Sequence, residues 1–356
     1  MIRFVRREAV PLWLSVAAPV GAGLVALLLT AVPLAISGAP IGRSFALLIE
    51  GSVGSVFALT ETMSRATPLI FTGLAAAVAF RAKLWNIGAE GQLYAGALAA
   101  VVVGTGAVAA PPFVLVPLVL LAGAAAGATL LMGPVFFKSR FGADEVVTTL
   151  LMNFIVILFV QMMLEGPLKD PLSLGWPQSE PMVDEAVLPK LVDKMRVHAG
   201  LLVAIACAVA SHVLLERTLW GFQIRAVGES AAAARYAGVP MGGTLVRVAL
   251  LSGGFAGLAG ACEVAGLKGY LTADLSPGFG YAGIVVAMLA GLSPLGVVPA
   301  ALFVAGVFVG ADTMSRTIGV SNYLADLVVA MSLLCVIVGG LFVRYEVRLV
   351  RRGAQA

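Results

Sequence analysis

Residues 221–239, GFQIRAVGESAAAARYAGV, form a short charged and alanine-rich segment within a chain that is otherwise mostly apolar. The pattern predicts a helix that begins at Glu229 and continues through four alanines to Arg235. Gly238 followed by Pro240 is a usual stop signal for a helix. Because so short a helix is unstable alone in water, we expect it to dock on another surface. The alternative is an ordinary solvated helix in a loop.

The composition of the whole chain is that of a membrane protein. The chain has 356 residues, of which 60% are hydrophobic and 12% are charged, and its mean hydropathy is +1.01. A soluble domain carries roughly twice that share of charged residues. Apolar runs of about 20 residues recur from end to end, and each is long enough to cross a hydrocarbon layer of about 30 Å. The sequence therefore predicts an all-α polytopic membrane protein.

About ten transmembrane helices are expected where apolar runs lie between charged and turn residues. Their predicted bounds are 12–37, 66–80, 87–110, 113–137, 146–165, 198–216, 247–268, 280–292, 297–314 and 322–343, the eighth being short enough to be re-entrant. Most of the 23 Lys and Arg residues fall on the cytoplasmic side when both termini are placed there (N-in/C-in), as the positive-inside rule requires. We therefore expect one transmembrane domain over 1–356, with a cytoplasmic loop at 217–246 and the main extracytoplasmic loop at 166–197.

The sequence lacks the motifs of several chemical functions. It contains no GxxxxGK[ST] motif and no Gly-Lys dipeptide, so the chain cannot bind ATP through a P-loop. No GxSxG or HExxH motif points to an enzyme. Cys207, Cys262 and Cys335 are far apart within apolar runs and are interpreted as small core residues, so neither a metal nor a cofactor is expected. The net charge of +4 comes from basic residues at helix ends, which does not indicate a nucleic-acid partner.

A second polar segment, FRAKLWNIGAEGQLYAGA, occupies residues 80–97 and begins with two basic residues that mark the cytoplasmic face. Asn86 is predicted to cap the helix that follows, and Glu90 and Gln92 then enter the membrane within its first two turns. An acid is costly in lipid, so Glu90 must face protein or water. Two interpretations stay open: a translocation-path or gate element, or a structural network in which Glu90 bonds backbone amides or the nearby basic residues.

A third polar segment is GADEVVTTLLMNF, residues 142–154. Asp144 and Glu145 precede a helix, which is ordinary capping chemistry. Thr149 and Asn153 lie deeper in that helix. They are consistent either with a polar route through the membrane or with helix packing alone.

Together these segments carry a family resemblance. NIGAEGQ (86–92), DEVVTTLLMN (144–153) and RAVGESAAAARYAGV (225–239), in this order, resemble the permease subunits of ATP-binding-cassette (ABC) importers in the branched-chain amino acid and monosaccharide permease family. The resemblance covers roughly residues 60–345 and is greatest to the longer permease of nucleoside or simple-sugar uptake systems. Ser230 departs from the pattern, since the family commonly has Asn after Gly-Glu.

The resemblance implies a fold of the ABC importer permease type in the inner membrane and a set of partners. Two permeases form the pore, here a heterodimer with a shorter paralogue; ABC ATPase subunits lie beneath it, and an extracytoplasmic binding protein delivers the substrate. Residues 221–239 correspond to the coupling segment that docks on the ATPase. The implied coupling residues are Arg225, Gly228, Glu229, Ala234, Arg235 and Gly238. The implied pathway or gate residues are Asn86, Glu90, Gln92, Thr149 and Asn153.

The expected function is therefore uptake of a nucleoside, or of a simple sugar such as a pentose, by ATP-driven alternating access, with the permease itself non-catalytic. The pathway residues include amide and hydroxyl groups, which suit a polar and uncharged solute. The alternative from another class is an ion-coupled secondary transporter of a small polar solute. It would use Glu90, Glu263 or Asp312 as its ion site.

Overall fold

The computed structural model describes residues 2–6, 11–106 and 108–349. In chain order its helices are α1 (Leu12–Ile36), α2 (Ile41–Val53), α3 (Val56–Arg81), α4 (Ala89–Gly104), α5 (Pro112–Phe141), α6 (Glu145–Glu165), α7 (Gly200–Arg217), α8 (Leu219–Glu229), α9 (Ala231–Tyr236), α10 (Met241–Glu263), α11 (Phe279–Leu289), α12 (Pro294–Ile318) and α13 (Asn322–Arg344). A 3₁₀ turn forms at Asp184–Ala186 and a π-helical turn at Val264–Lys268. Outside the helices, strands β1 (Ile2–Arg6) and β2 (Tyr345–Leu349) pair antiparallel.

The helices coincide with the predicted apolar runs. Within the described residues, seven helices are long and apolar enough to cross a membrane: α3, α5, α6, α7, α10 with its π-helical continuation, α12 and α13. Shorter apolar helices are the Gly21–Ile36 part of α1, α4 and α11. Each predicted span overlaps one of these helices. α4 and α11 are the two that fall clearly short of the roughly 20 residues that a full crossing needs.

The predicted second span, 66–80, was too short, and helix α2 was not foreseen. α3 begins at Val56, and charged residues that break the apolar run had hidden its first turns. Charged residues in both helices are paired: Arg43 with Glu50 within α2, and Glu61 of α3 with Arg196, each at 3.2 Å. Paired charges can lie beside an apolar helix without ending it, which a scan for apolar runs alone does not detect.

The chain divides into two compact units, and the boundaries fall within α3 and α12. One unit comprises Met1–Ala58 and Gly306–Ala356, and the other Leu59–Ala305. In the first unit α1 packs on α13, and the β1–β2 pair joins the residues before α1 to those after α13. This pairing places Ile2–Arg6 beside Tyr345–Leu349.

In the second unit, facing glycines bring α4, α5 and α10 into close contact. A Cβ on Gly127 of α5 would overlap the carbonyl oxygen of Gly253 of α10, and one on Gly257 would overlap that of Gly123. Gly96 of α4 meets Gly257 in the same way. Small residues spaced by four let helix backbones approach closely inside a membrane, and here they form the centre of the unit.

The segment between α6 and α7 is ordered by backbone hydrogen bonds. The amides of Ser179 and Met182 donate to the carbonyls of Leu271 and Gly269 at 2.9 and 2.8 Å. His198 lies at the end of this segment, 1% exposed, with its ring packed against Gly266. Its burial lowers the pKa of His198 from 6.5 to about 4.

Candidate functional site

Two interrupted helices meet inside the second unit. α3 ends at Arg81, residues 82–88 are non-helical, and α4 begins at Ala89; in the same way a non-helical stretch, 269–278, separates α10 with its π-helical turn from α11. The amino-terminal ends of α4 and α11 touch, because a Cβ on Gly280 would overlap the backbone nitrogen of Glu90. We call this contact the half-helix junction (residues 84–92 and 276–283).

The half-helix junction lies well inside the span of α3. The hydroxyl of Thr72 on α3 donates to the carbonyl of Phe279, the first residue of α11, at 3.0 Å. Thr72 precedes Arg81, the last residue of α3, by nine positions. At a rise of 1.5 Å per residue this places the junction about 13 Å from the end of the helix. Predicted span 87–110 was too long chiefly at its far end, because α4 ends at Gly104.

A polar stripe on α6 supplies hydrogen-bond partners to the non-helical backbone. Its three side chains lie one turn apart on one face of the helix: Glu145, Thr149 and Asn153. They accept hydrogen bonds at 3.5, 3.2 and 2.8 Å from the amides of, respectively, Trp85, Ile87 and Gly91. Asn153 also donates from Nδ2 to the carbonyl of Ile87 at 2.9 Å. Non-helical backbone inside a membrane requires such partners, so this stripe explains how the chain can unwind at 82–88.

Asn86 and Gln92 form a second part of the network. Their amides bond reciprocally at 3.0 and 2.9 Å, and Asn86 Nδ2 also donates to Ser252 Oγ of α10 at 2.9 Å. Asn86 does not occupy the N-cap position that the sequence predicted. That position is taken by Gly88, whose own amide donates to Asn86 Oδ1 at 3.0 Å. The side chain thus stabilises a turn just ahead of the helix, a common role for Asn.

Glu90 joins the two half-helices. Its Oε2 accepts a hydrogen bond from the amide of Gly280, in the first turn of α11, at 2.6 Å. The Ser276 hydroxyl and the Gly278 amide are also within hydrogen-bonding reach of the carboxylate. The side chain is 3% exposed. The sequence left open whether Glu90 bonds backbone amides or the nearby basic residues, and in the structure its partner is a backbone amide.

The basic residues at the end of α3 bond elsewhere. Arg81 donates from Nε to the carbonyl of Leu292 at 3.0 Å, and its guanidinium pairs with Glu216 of α7. Lys83 donates to the carbonyl of Glu229 at 3.4 Å. These three interactions tie the beginning of the non-helical stretch to neighbouring elements of the same unit.

The coupling segment contains two helices rather than one. Glu229 is the last residue of α8, which corrects the predicted helix start, and Ser230 caps α9 by accepting from the amide of Ala233 at 3.2 Å. The extended backbone of Ser230 (φ −152°, ψ 106°) separates the helices, and a serine hydroxyl is a better N-cap than a glutamate side chain. Gly238 has a φ of +80°, as its predicted role as a stop signal requires. Ala234 alone among the residues of α9 is buried.

α8 lies directly against the end of α3. A Cβ on Gly228 would overlap the carbonyl oxygen of Arg81, and the next nearest atoms are the Arg81 carbonyl carbon and the Cα of Ala82, all of them backbone. The predicted coupling residue Arg225 bonds Glu216 at 3.4 Å, and Glu216 in turn pairs with Arg81. The coupling segment and the residues that lead into the half-helix junction are therefore in van der Waals contact, with no space between them.

The other face of this region is exposed. Large side chains project from α8 and α9 without burial: Leu219 (69% exposed), Trp220 (50%), Phe222 (56%) and Tyr236 (97%). Arg235 and the alanines at 231–233 are exposed beside them. Aromatic and arginine side chains around small residues are the composition of a protein interface.

The predicted residues are therefore found in two places. Three pathway residues, Asn86, Glu90 and Gln92, lie in the half-helix junction, and the other two, Thr149 and Asn153, bond to it from α6. All five are buried and hydrogen-bonded to protein atoms. All six coupling residues lie in or next to α8 and α9. Sequence reasoning missed Glu216, Ser252 and Gly280, which are distant from their partners along the chain. It also assigned Glu145 to capping alone. Glu145 lies four and eight residues before Thr149 and Asn153, a spacing that places all three side chains on one face of the helix.

The acids of the alternative ion site lie on three different helices. Glu90 and Glu263 are both buried in the second unit, Glu90 in the first turn of α4 and Glu263 at the end of α10. Asp312 lies on α12 in the first unit. Within the described residues, no group of three or more His, Cys, Asp or Glu side chains is arranged to hold a metal.

Broken helices that meet inside a helical bundle are a feature of membrane transporters of small solutes. The chain belongs to the family described as branched-chain amino acid transport system / permease component, whose model matches residues 58–337. It is a multi-pass inner-membrane protein and the permease component of an ABC transporter.

Curated relatives cover most of the chain. It is 37% identical over 363 residues to the glucose ABC transporter permease protein TsgB13 of Haloferax volcanii, covering 98% of this chain and 95% of the relative. It is 36% identical over 308 residues to the guanosine ABC transporter permease protein NupP of Bacillus subtilis, with 85% and 87% covered. The guanosine permease protein NupQ of the same organism is 29% identical over 252 residues, with 68% and 77% covered.

Proposed function

We propose that this chain is the longer of two different permeases in a binding-protein-dependent ABC importer that carries a nucleoside, or a simple sugar such as a pentose, into the cell. The observation that carries the proposal is the contact between Gly228 and the Arg81 carbonyl. Through this contact the coupling segment packs directly against the α3–α4 connection. A non-catalytic permease of this kind receives its energy from a separate ATPase subunit and needs no cofactor.

The mechanism is alternating access driven from the cytoplasm. When the ATPase subunits close, they push on the exposed face of α9 and on Arg235. The push tilts α7 and α10, which flank the coupling segment. Because α8 is packed directly on the end of α3, the same push displaces residues 82–88 and with them the half-helix junction. The pathway residues at that junction, Asn86, Glu90, Gln92, Thr149 and Asn153, then exchange partners as the cavity opens to the other side.

The polar groups at the junction favour an uncharged solute. Asn86, Gln92, Thr149 and Asn153 offer amide and hydroxyl groups, which can donate to and accept from ribose or base atoms. The names of the relatives point to guanosine and to glucose, both polar and uncharged. A nucleoside remains the leading candidate, with a simple sugar as the second.

The assembly requires further subunits. Two non-identical proteins of Bacillus subtilis, both named guanosine ABC transporter permeases, are similar to this chain, which supports pairing with a shorter paralogue. We place both termini and the 217–246 loop in the cytoplasm, and the 166–197 loop outside, where a substrate-binding protein delivers the solute. The whole chain, 1–356, acts as one membrane domain surrounded by lipid.

Copurification and energy coupling test this proposal. The tagged permease, extracted with detergent, should bring down an ABC ATPase subunit and a second permease. Uptake of radiolabelled guanosine should persist under a protonophore while cellular ATP is kept high. Loss of uptake under that treatment would favour the ion-coupled alternative. A thermal-shift screen of the cognate binding protein against nucleosides and sugars identifies the substrate.

A further inference from the structure

The amino-terminal ends of two half-helices converge on one carboxylate. α4 has 16 residues and α11 has 11, so each has a helix dipole whose positive end carries about half an elementary charge. Both positive ends lie at the half-helix junction, where Gly280 touches the backbone of Glu90. In the low dielectric of a membrane protein, such a convergence attracts an anion.

The group in this place is a carboxyl of the protein itself. Glu90 projects from the first turn of α4 and accepts from the Gly280 amide of α11 at 2.6 Å. Two further amides at the start of α11 are occupied, since Ser276 Oγ accepts from Gly278 and Phe279 at 3.1 and 2.9 Å. The amide of Gly91, in the first turn of α4, donates to Asn153 Oδ1.

Glycines let the two helix ends pack closely against their neighbours. A Cβ on Gly280 would overlap the Glu90 backbone, and a Cβ on Gly283 would lie 2.5 Å from Thr72 Oγ1. The nearest basic side chains on α3 and its extension, Arg81 and Lys83, are bonded to Glu216 and to the Glu229 carbonyl. The carboxylate therefore balances the two helix ends rather than a basic residue.

We propose that Glu90 is a fixed internal counter-ion that occupies the meeting point of the two helix dipoles and thereby keeps the junction selective for uncharged solutes. One negative charge cancels two half-charges, so the junction presents no net charge to a passing molecule. Removing the charge leaves a positive site that takes up small anions. This inference rests on the proposed function, because it assumes that the solute passes the junction.

Two variants separate the charge of Glu90 from its shape. Glu90→Gln keeps the size and an oxygen that accepts from the Gly280 amide but removes the charge, whereas Glu90→Ala leaves a space for a small anion. Glu263→Gln is the matched control, since Glu263 is equally buried in the same unit and belongs to neither half-helix. All are made in the full-length permease, purified with its native complex in lipid nanodiscs.

Chemical rescue measures the need for an anion. We expect about 0.2 M formate to raise the Tm of Glu90→Ala by about 2–4 °C relative to the same concentration of formamide, while the wild type and Glu263→Gln show no difference. We also expect replacement of gluconate by nitrate, at constant ionic strength, to reduce guanosine uptake by Glu90→Gln but not by the wild type.

The inference is overturned if formamide rescues Glu90→Ala as well as formate does, or if Glu90→Gln matches the wild type in Tm and shows no response to nitrate. An equal response of Glu263→Gln would also overturn it, because the anion effect would then not belong to the junction. If Glu90→Ala does not accumulate, the nitrate response of Glu90→Gln decides alone. The Tm measurements need no transport, so failure of the ABC assignment in the protonophore experiment is recognised separately.

Discussion

Replacement of Gly228 by alanine tests whether force passes from the coupling segment to the half-helix junction. The added Cβ would fall inside contact distance of the Arg81 carbonyl oxygen, which belongs to backbone and cannot rotate away. α8 must therefore move away from α3 by on the order of 1 Å. Gly242→Ala is the matched control, because its Cβ would meet nothing within 4 Å and the site is exposed.

The expected cost to stability is moderate and the expected cost to transport is large. Overpacking of this kind destabilises a protein by about 1–3 kcal/mol, which a membrane bundle of this size tolerates. A displacement of about 1 Å at a coupling contact, however, can reduce a rate about 100-fold. Gly242→Ala, at an exposed helical position, should be neutral or slightly stabilising, by up to about 1 kcal/mol.

The assay compares ATP hydrolysis with uptake in proteoliposomes that contain the complete transporter. For Gly228→Ala we expect the ATPase to remain bound and to hydrolyse ATP, while stimulation by the loaded binding protein is lost and uptake falls at least about tenfold. Gly242→Ala should behave as the wild type. Uptake by Gly228→Ala at the control's rate, in a complex of normal composition, would contradict the proposed route from α8 to α3.

Three further perturbations probe other parts of the structure. Arg235→Glu reverses the charge on the exposed face of α9 and should reduce copurified ATPase and uptake about tenfold or more. The control Arg140→Glu, at the end of α5, should retain both. Equal amounts of bound ATPase in the two variants would refute docking through α9. Asn153→Ala leaves the buried Gly91 amide without its acceptor and should lower the free energy of unfolding by about 1–3 kcal/mol, measured through the Tm in detergent. An unchanged Tm would contradict this. The pKa of His198 is lowered to about 4 in the folded protein, so the side chain stays neutral there, whereas in the unfolded chain it gains a proton below about pH 6.5. The free energy of unfolding should therefore fall as the pH drops from 6.5 towards 4, by on the order of 3 kcal/mol in total. His198→Phe should flatten this part of the Tm–pH profile, and an unchanged slope would exclude His198 as its source.

Features that depend on neighbouring residues could be predicted well. Apolar runs located the spans because a hydrocarbon layer requires about 20 consecutive apolar residues whatever the partners of the helix are. The positive φ of Gly238 and the N-cap of Asp144, which accepts from the amides of Val146 and Val147, follow from local backbone chemistry in the same way. Ser230 shows the limit of local reasoning, since the predicted helix began at Glu229, whereas Ser230 forms the N-cap of α9.

The meaning of the polar residues inside the spans required the fold. The sequence indicated that Asn86, Glu90 and Asn153 must face protein or water, because lipid offers no hydrogen bonds. It could not name their partners, since Ser252 lies 166 residues from Asn86 and Gly280 lies 190 residues from Glu90. Such pairs form only when helix packing brings distant backbone groups together. The half-helix junction, the contact of α8 with α3 and the role of Glu90 as a counter-ion are therefore properties of the packed helices, whereas the membrane-spanning character of the chain is already present in its amino-acid order.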